Sequence, residues 1–363
     1  MHVWLGAACI LAAGCGRSGY EPLPTFDGRP DAAGEGIDAP TGGPADAPAD
    51  APADAPADAP PVEIFVANSV LFGGTVSVYA ASAIGPAAPI RRIAGPSTGL
   101  NTPLGITIDA VHRELLVASF YGEAVQAFPL DADGDASPLR TLVDGPASNL
   151  SQVRRVVVDV VHDEMIAISI NTGIRVFPRV ADGDVAPLRV IYGSLTQLDN
   201  PIDLAFDPIA DELFVNTYDA GTGLPGILVF DRTGSGNVAP KRVISGPSTR
   251  LGTFTNFLAL DLTNQELVAQ GDSGAGIVVF DLAASGDVAP KRNLTGAATG
   301  MTDTAGLFVD VVADRIDVVD QAAGAILVFP RTATGAVPPI MSVTGLVSPF
   351  GLASSGPGGL EGR

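Results

Sequence analysis

A short strand-like run ending in an aromatic recurs along the chain: Val76-Ser77-Val78-Tyr79 first, then runs that close at Phe128, Phe177, Phe230, Phe280 and Phe329. The steps are 49, 49, 53, 50 and 49 residues. A glycine four residues ahead of a proline, at Gly85, Gly134, Gly183, Gly236, Gly286 and Gly335, keeps the same intervals. Two anchors with one rhythm define six units of about 50 residues. A period of that length marks an array whose neighbouring units bury one another's apolar faces. Each unit reads as four short β-branched runs separated by turn residues, and no run has helical period. The repeats therefore predict an all-β chain, a six-bladed β-propeller of four-stranded blades.

The ends of the array predict how the ring closes. The first unit lacks an opening strand and starts at Glu63-Ile64-Phe65-Val66-Ala67-Asn68, which matches the second strand of the others. The missing strand stands at the far end, where Pro349-Phe350-Gly351-Leu352-Ala353-Ser354 matches Pro103-Leu104-Gly105-Ile106-Thr107-Ile108. A C-terminal strand that completes the N-terminal blade removes the free sheet edges of an open array. The propeller is thus expected over 62–354, with a Gly-rich tail at 355–363.

Residues 1–14 read as an export signal. Val3 to Ala13 is too short to span a bilayer but fits the apolar core of a signal peptide. Ala12-Ala13-Gly14-Cys15 resembles a bacterial lipobox, which implies lipid on Cys15; the alternative is a plain signal peptide cut near Ala13. With Cys15 the only mature cysteine, no internal disulfide is available, although an exported chain would sit where one is permitted. Residues 15–61 form a tether. Arg17 and Arg29 stand there against nine acids, and Ala45 to Pro60 is Ala-Asp-Ala-Pro four times over. Proline at every fourth place bars helix and sheet, and evenly spaced like charges extend the chain to a reach on the order of 140 Å. A calcium-collecting tail is the alternative, but single aspartates four apart beside proline do not close around an ion. The expected address is the cell envelope, at the outer membrane or cell surface; the alternative is a soluble secreted or periplasmic protein.

Charge narrows the partners. Twenty Lys+Arg against 40 Asp+Glu give a net charge of −20, which repels nucleic acid and anionic lipid headgroups. Contact with a membrane is expected through the lipid alone, and the propeller is expected to be a monomer.

The run Pro103-Leu104-Gly105-Ile106-Thr107-Ile108-Asp109, followed by Glu114-Leu115-Leu116-Val117-Ala118, resembles the NHL-type repeat and its relatives among six-bladed propellers. That group includes gluconolactonase-like enzymes. The resemblance covers 62 to about 354, and it implies a fold rather than an activity, because propellers host binding scaffolds, lyases and lactonases alike.

Residues repeated in several blades point to structure. The pairs Asp109/Glu114, Asp159/Glu164, Asp207/Glu212 and Asp261/Glu266 would suggest acid–base chemistry if found once. Found in four blades, they are expected to fix the turn between first and second strands. Arg91, Arg140, Arg189, Arg242 and Arg292, each two residues past a turn proline, are expected to pair with carboxylates. His112 and His162 occupy equivalent turns, and no Ser-His-Asp or Cys-His set assembles around them. Asp131, Asp133 and Asp135 alternate ahead of and behind a glycine, like the start of a calcium loop, though Leu142 stands where the distal Glu belongs. An acidic β-turn is the favoured reading, and a calcium site at these three residues is the alternative.

Where the blades differ, a ligand is expected. Loops between second and third strands, and links between blades, surround one mouth of the central channel. Asn68, Phe120, Tyr121, Asn171, Asn216, Tyr218, Asp219, Asp272 and Asp320 fall in these loops. Arg155 and Asp203 replace, in adjacent blades, the glycine of Gly105, Gly306 and Gly351, with Arg154 alongside. They read as a structural ion pair or as part of a polar ligand funnel. The leading expectation is a non-enzymatic module that binds or scaffolds an envelope protein or glycan. The resemblance to gluconolactonase-like enzymes implies an alternative, a hydrolase with a divalent ion, calcium for instance, held by Asn68, Asn216, Asp219, Asp272 and Asp320. A purely structural envelope component is a third.

Overall fold

The computed structural model describes residues 61–218, 225–252, 257–271 and 274–356. The chain divides into two units, Met1–Ala57 and Asp58–Arg363, and every described residue belongs to the second. Cys15, the export signal, nearly all of the tether, Asp219, Asp272 and most of the Gly-rich tail lie outside the described residues.

Six antiparallel sheets form the six blades of a β-propeller. Alternation along each strand puts one side chain set toward the preceding blade and the next set toward the following one, so the core lies between blades. First strands are Pro103–Asp109, Val153–Asp159, Pro201–Asp207, Leu258–Asp261 and Thr304–Asp310 in blades two to six. Blade one takes its first strand from the chain's end: the sheet runs Pro349–Ser354, Glu63–Val70, Gly73–Ala80, Arg91–Ile93. Ile64, Phe65 and Val66 pair with Ser354, Ala353 and Leu352, which closes the ring as the sequence predicts.

The recurring aromatics are the largest members of the inter-blade cores. Phe128 joins the cluster between blades one and two, Phe177 the next, then Phe230 and Phe280, and all four are buried. Tyr79 and Phe329 share the cluster that bridges blades five, six and one.

The glycine of the G-x-x-x-P turn does a second job that periodicity alone does not reveal. Gly134, Gly183, Gly236, Gly286 and Gly335 each form a parallel bridge to the fourth strand of the preceding blade, at Ile93, Leu142, Ile191, Ile244 and Leu294. Gly85 makes the sixth, to Val343 of blade six. Each blade is therefore latched to the one before it, all the way around the ring. In blades two to five the residue after the glycine completes the latch. Asp135 Oδ1 accepts from Ser97 N at 2.7 Å, Asp184 Oδ1 from Ser148 N at 2.7 Å, Asn237 Oδ1 from Leu195 N at 2.7 Å and Asp287 Oδ1 from Ser248 N at 2.7 Å.

Candidate functional site

The repeated charges occupy the face where first strands turn into second strands. Asp109 Oδ1 accepts from the amides of Val111 and His112, both at 3.0 Å, and Oδ2 lies 2.8 Å from His112 Nδ1. Asp159 and His162 repeat this geometry, and Asp207 and Asp310 cap the same turn without a histidine. The arginines of five fourth strands meet Glu63, Glu114, Glu164, Glu212 and Glu266. Burial works against ionisation of Glu164 and Glu212, but Arg189 and Arg232 beside the first, and Arg242 and Lys241 beside the second, hold both carboxyls below their usual range. These groups bind the blades to one another and to their own turns.

Asp133 and Asp135 lie on the latch, and Asp131 is exposed in the turn that leads into it. Asp133 Oδ1 accepts from Arg92 N at 2.9 Å, and this bond and one from Gly134 N hold its carboxyl below the usual range. Asp135 caps the short 3-10 turn Pro96–Thr98. Among the described residues, the one group of three metal-ligating side chains with ligand atoms all within 4.8 Å of one another is Asp109, His112 and Glu114. Arg140 Nη1 stands 2.5 Å from Glu114 Oε1, which already supplies that group with a cation.

At the opposite face, the first strands begin around the channel mouth, and residue size there alternates between halves of the ring. A Cβ on Gly351 would lie 2.1 Å from Leu104 O, one on Gly105 2.6 Å from Arg154 O, and one on Gly306 2.4 Å from Phe350 O. Glycine is required because neighbouring first strands approach this closely. In blades three, four and five the same place carries Arg155, Asp203 and Phe257. Arg155 Nε lies 3.4 Å from Asp203 Oδ1, both buried, so the ion-pair reading describes their geometry. Asp203 Oδ2 also accepts from Leu258 N at 3.0 Å, and Asp203 N donates to Asn216 Oδ1 at 2.6 Å. Phe257 and Phe350 meet edge-on, centroids 5.2 Å apart, and with Leu104, Arg154 and Ile202 they line a shallow depression at the mouth.

The remaining expected loop residues separate. The Asn68 amide is hydrogen-bonded to Ser77 Oγ at 2.7 Å and Thr75 Oγ1 at 3.1 Å, inside blade one. Asn171 donates to Gln152 Oε1 at 3.2 Å. Tyr218 ends its strand, half-buried, with its amide on Asn200 O. Asp320 accepts from the amides of Thr302, Asp303 and Ala323, and these hold its carboxyl below the usual range against the opposing effect of burial. Each of these polar groups has its partner within the fold.

Phe120 and Tyr121 do come together, in a cluster with two further residues. Their rings meet edge-on, centroids 4.8 Å apart. Tyr121 also lies 5.4 Å from Phe72, at the first hairpin of blade one, and Arg154 Cζ lies 5.5 Å from the Phe120 ring. The row Phe72, Tyr121, Phe120, Arg154 crosses blades one, two and three toward the channel. Its outer end is apolar and open: Phe72 is 75% exposed, Leu71 63% and Tyr121 44%. Val70 and Val347 are exposed too, and Ser69 N donates to Ser348 O, which brings the Val347 link beside the hairpin. Phe72 has φ 59°, a left-handed conformation that suits glycine or asparagine and costs a bulky side chain of order 1 kcal/mol or more. Glu123 and Gly324, which directly precede the third strands of blades two and six, also have positive φ, 49° and 57°. Thr102 braces the hairpin: Phe72 N donates to its Oγ1 at 3.3 Å, and that hydroxyl donates to Val70 O at 3.1 Å. Phe72 escapes a reading based on loop polarity, although Val70-Leu71-Phe72 in a hairpin turn was the available signal.

Comparison with known proteins supports the fold. A chain of a nidogen/laminin complex superposes with a TM-score of 0.57 at 12% identity, covering 81% of this chain and 98% of its own. The WD40 β-propeller domain of Doa1 gives 0.50 at 12% identity, with 77% and 79% covered. The β-propeller domain of Cps50 (Swd1) from Myceliophteria thermophila gives 0.51 at 13% identity, with 77% and 83% covered. No family model matches the chain, and no curated protein matches it. The chain is similar to these propellers in architecture.

Proposed function

We propose that this protein is a non-enzymatic binding module that docks a partner protein on the channel-mouth face, at the apolar patch of blades one and two. The observation that carries the reading is the exposed Leu71-Phe72 turn. A large aromatic stands 75% exposed at a backbone position that penalises it, next to a second exposed ring. Exposed contiguous apolar surface of this kind marks an interaction site. Aliphatic Val70, Leu71 and Val347 beside the rings favour a protein, since a sugar face asks for hydrogen-bonding groups that they lack.

A photo-cross-linking amino acid at position 121, and another at Val161 on the opposite face, tests this in cells. The expected result is a discrete protein adduct from 121 that Phe72→Ala removes, with none from 161. Equal adducts from both positions, or none from 121, overturns it.

The module is further proposed to be held in the envelope by lipid on Cys15, on the strength of the lipobox-like Ala12-Ala13-Gly14-Cys15. Replacing Cys15 by Ser is expected to move the protein from the detergent phase to the aqueous phase in a phase-partition assay. Unchanged partition overturns the anchor.

A further inference from the structure

Arg154 differs from the other inward arginines. The arginines of five fourth strands each meet a glutamate, Arg155 pairs with Asp203, and Arg175 donates to the carbonyls of Ser148 and Thr172. Arg154 makes no ion pair and no side-chain hydrogen bond among the described residues, its Nε is buried without a partner, and its contact is the Phe120 ring. Burial lowers its pKa, with no carboxylate among the described residues near enough to oppose the shift. A desolvated guanidinium costs free energy until an anion meets it, and its planar fork matches a carboxylate.

We infer that Arg154 and the ring row beside it form a subsite for a single peptide carboxylate flanked by an apolar side chain. The guanidinium receives the carboxylate at the channel mouth, and Phe120, Tyr121 and Phe72 receive the flanking group. This rests on the docking reading above and adds the chemistry of the partner segment. One charge is what the site balances: Asp203 already matches Arg155, and Glu123 of the aromatic loop accepts from Ser151 Oγ at 3.2 Å. A polyanion would meet the chain's net charge of −20 instead. The carboxylate belongs either to an Asp or Glu side chain or to a chain terminus.

Titration of the full chain by isothermal calorimetry separates these. The probes are Ac-Leu-Phe-OH, its amide Ac-Leu-Phe-NH2, Ac-Leu-Glu-Phe-Leu-NH2 and a glucuronate disaccharide. At least one acidic peptide is expected to bind about tenfold or more tighter than the neutral amide, about 1.4 kcal/mol. Which acid binds tells the source of the carboxylate. Arg154→Gln is expected to erase the difference, Arg154→Lys to keep only part of it because the planar fork is lost, and Phe72→Ala to weaken acid and amide alike. The acid-to-amide ratio of the unmutated protein keeps the test independent of any folding defect in a variant. Equal binding of acids and amide, both weakened by Phe72→Ala, overturns the carboxylate subsite and leaves the docking surface standing. Tighter binding of the glucuronate, or no binding by either acid, also overturns it.

Discussion

Asp317 is the residue whose setting conflicts most with its charge. Blade six opens its second strand with Arg315 where five other blades have glutamate, and it has Asp317 where Leu116, Ile166, Phe214 and Val268 stand. Leu116 belongs to the core that blade two shares with blade three, so Asp317 occupies the face that blade six turns to blade one. It is fully buried, neither carboxylate oxygen has a hydrogen bond among the described residues, and Arg315 Nε lies 3.2 Å from Oδ1. Burial raises its pKa to about 7, with Arg315 opposing and Asp310 adding to the rise. A carboxyl whose pKa is higher in the folded state than in the unfolded one binds more protons when folded. Stability therefore falls as pH climbs from about 4 to about 7 and levels off above that. Glu164, Glu212 and Glu266 act in the opposite sense: their contributions are complete above the unfolded value of 4.5 and are lost as pH drops below it. Between about pH 4.5 and 7 the slope is thus set by Asp317 among these groups. Asp317→Asn is expected to flatten that slope and to make the protein more stable at pH 8, by on the order of a few kcal/mol. Urea denaturation of both proteins at pH 5, 6.5 and 8 checks this; a variant that keeps the wild-type slope would sink the assignment.

Among the elements, strands and their order were legible because each blade repeats the same apolar alternation. Six copies of Phe or Tyr at one register leave little freedom in placing the third strand. The Asp–Glu turns and the fourth-strand arginines were legible for the same reason, since a group present in most blades serves the blade. The latch was not legible. Gly134 and Asp135 read locally as a turn, or as the start of a calcium loop, because the groups they bind, Ile93 and Ser97, lie about 40 residues earlier. What a sequence shows of a carboxylate is its spacing, and what decides its role is the amide it faces. The same gap explains the candidate face. Asn68 and Asp320 look available in sequence and are occupied in the fold by hydroxyls and backbone amides of their own surroundings. Phe72 is missed where loop residues are sought by polarity, and it stands outside because the turn carries it past the end of the sheet.

At the scale of the whole molecule, closure concentrates stability on one seam. Strand Pro349–Ser354 follows blade six in the chain and is the first strand of blade one, so the ring is an open arc until it pairs with Glu63–Val70. That pairing covers the backbone of Ile64, Phe65 and Val66, puts Leu352 in the core that bridges blades five, six and one, and seats Gly351 against Leu104 of blade two. The Gly85 latch on Val343 crosses the same seam, but it is two residues long and parallel, too little to hold the ring alone. A chain truncated after Leu346 leaves Glu63–Val70 as a long apolar edge, which is a template for pairing with other chains. It is expected to lose the cooperative thermal transition of the full chain and to elute as aggregates in size-exclusion chromatography. A synthetic peptide of residues 347–356 added during refolding is expected to restore the monomer, because it supplies the missing strand without the covalent link. Truncation that leaves the melt and the elution volume unchanged would mean that the six latches hold the ring without its closing strand.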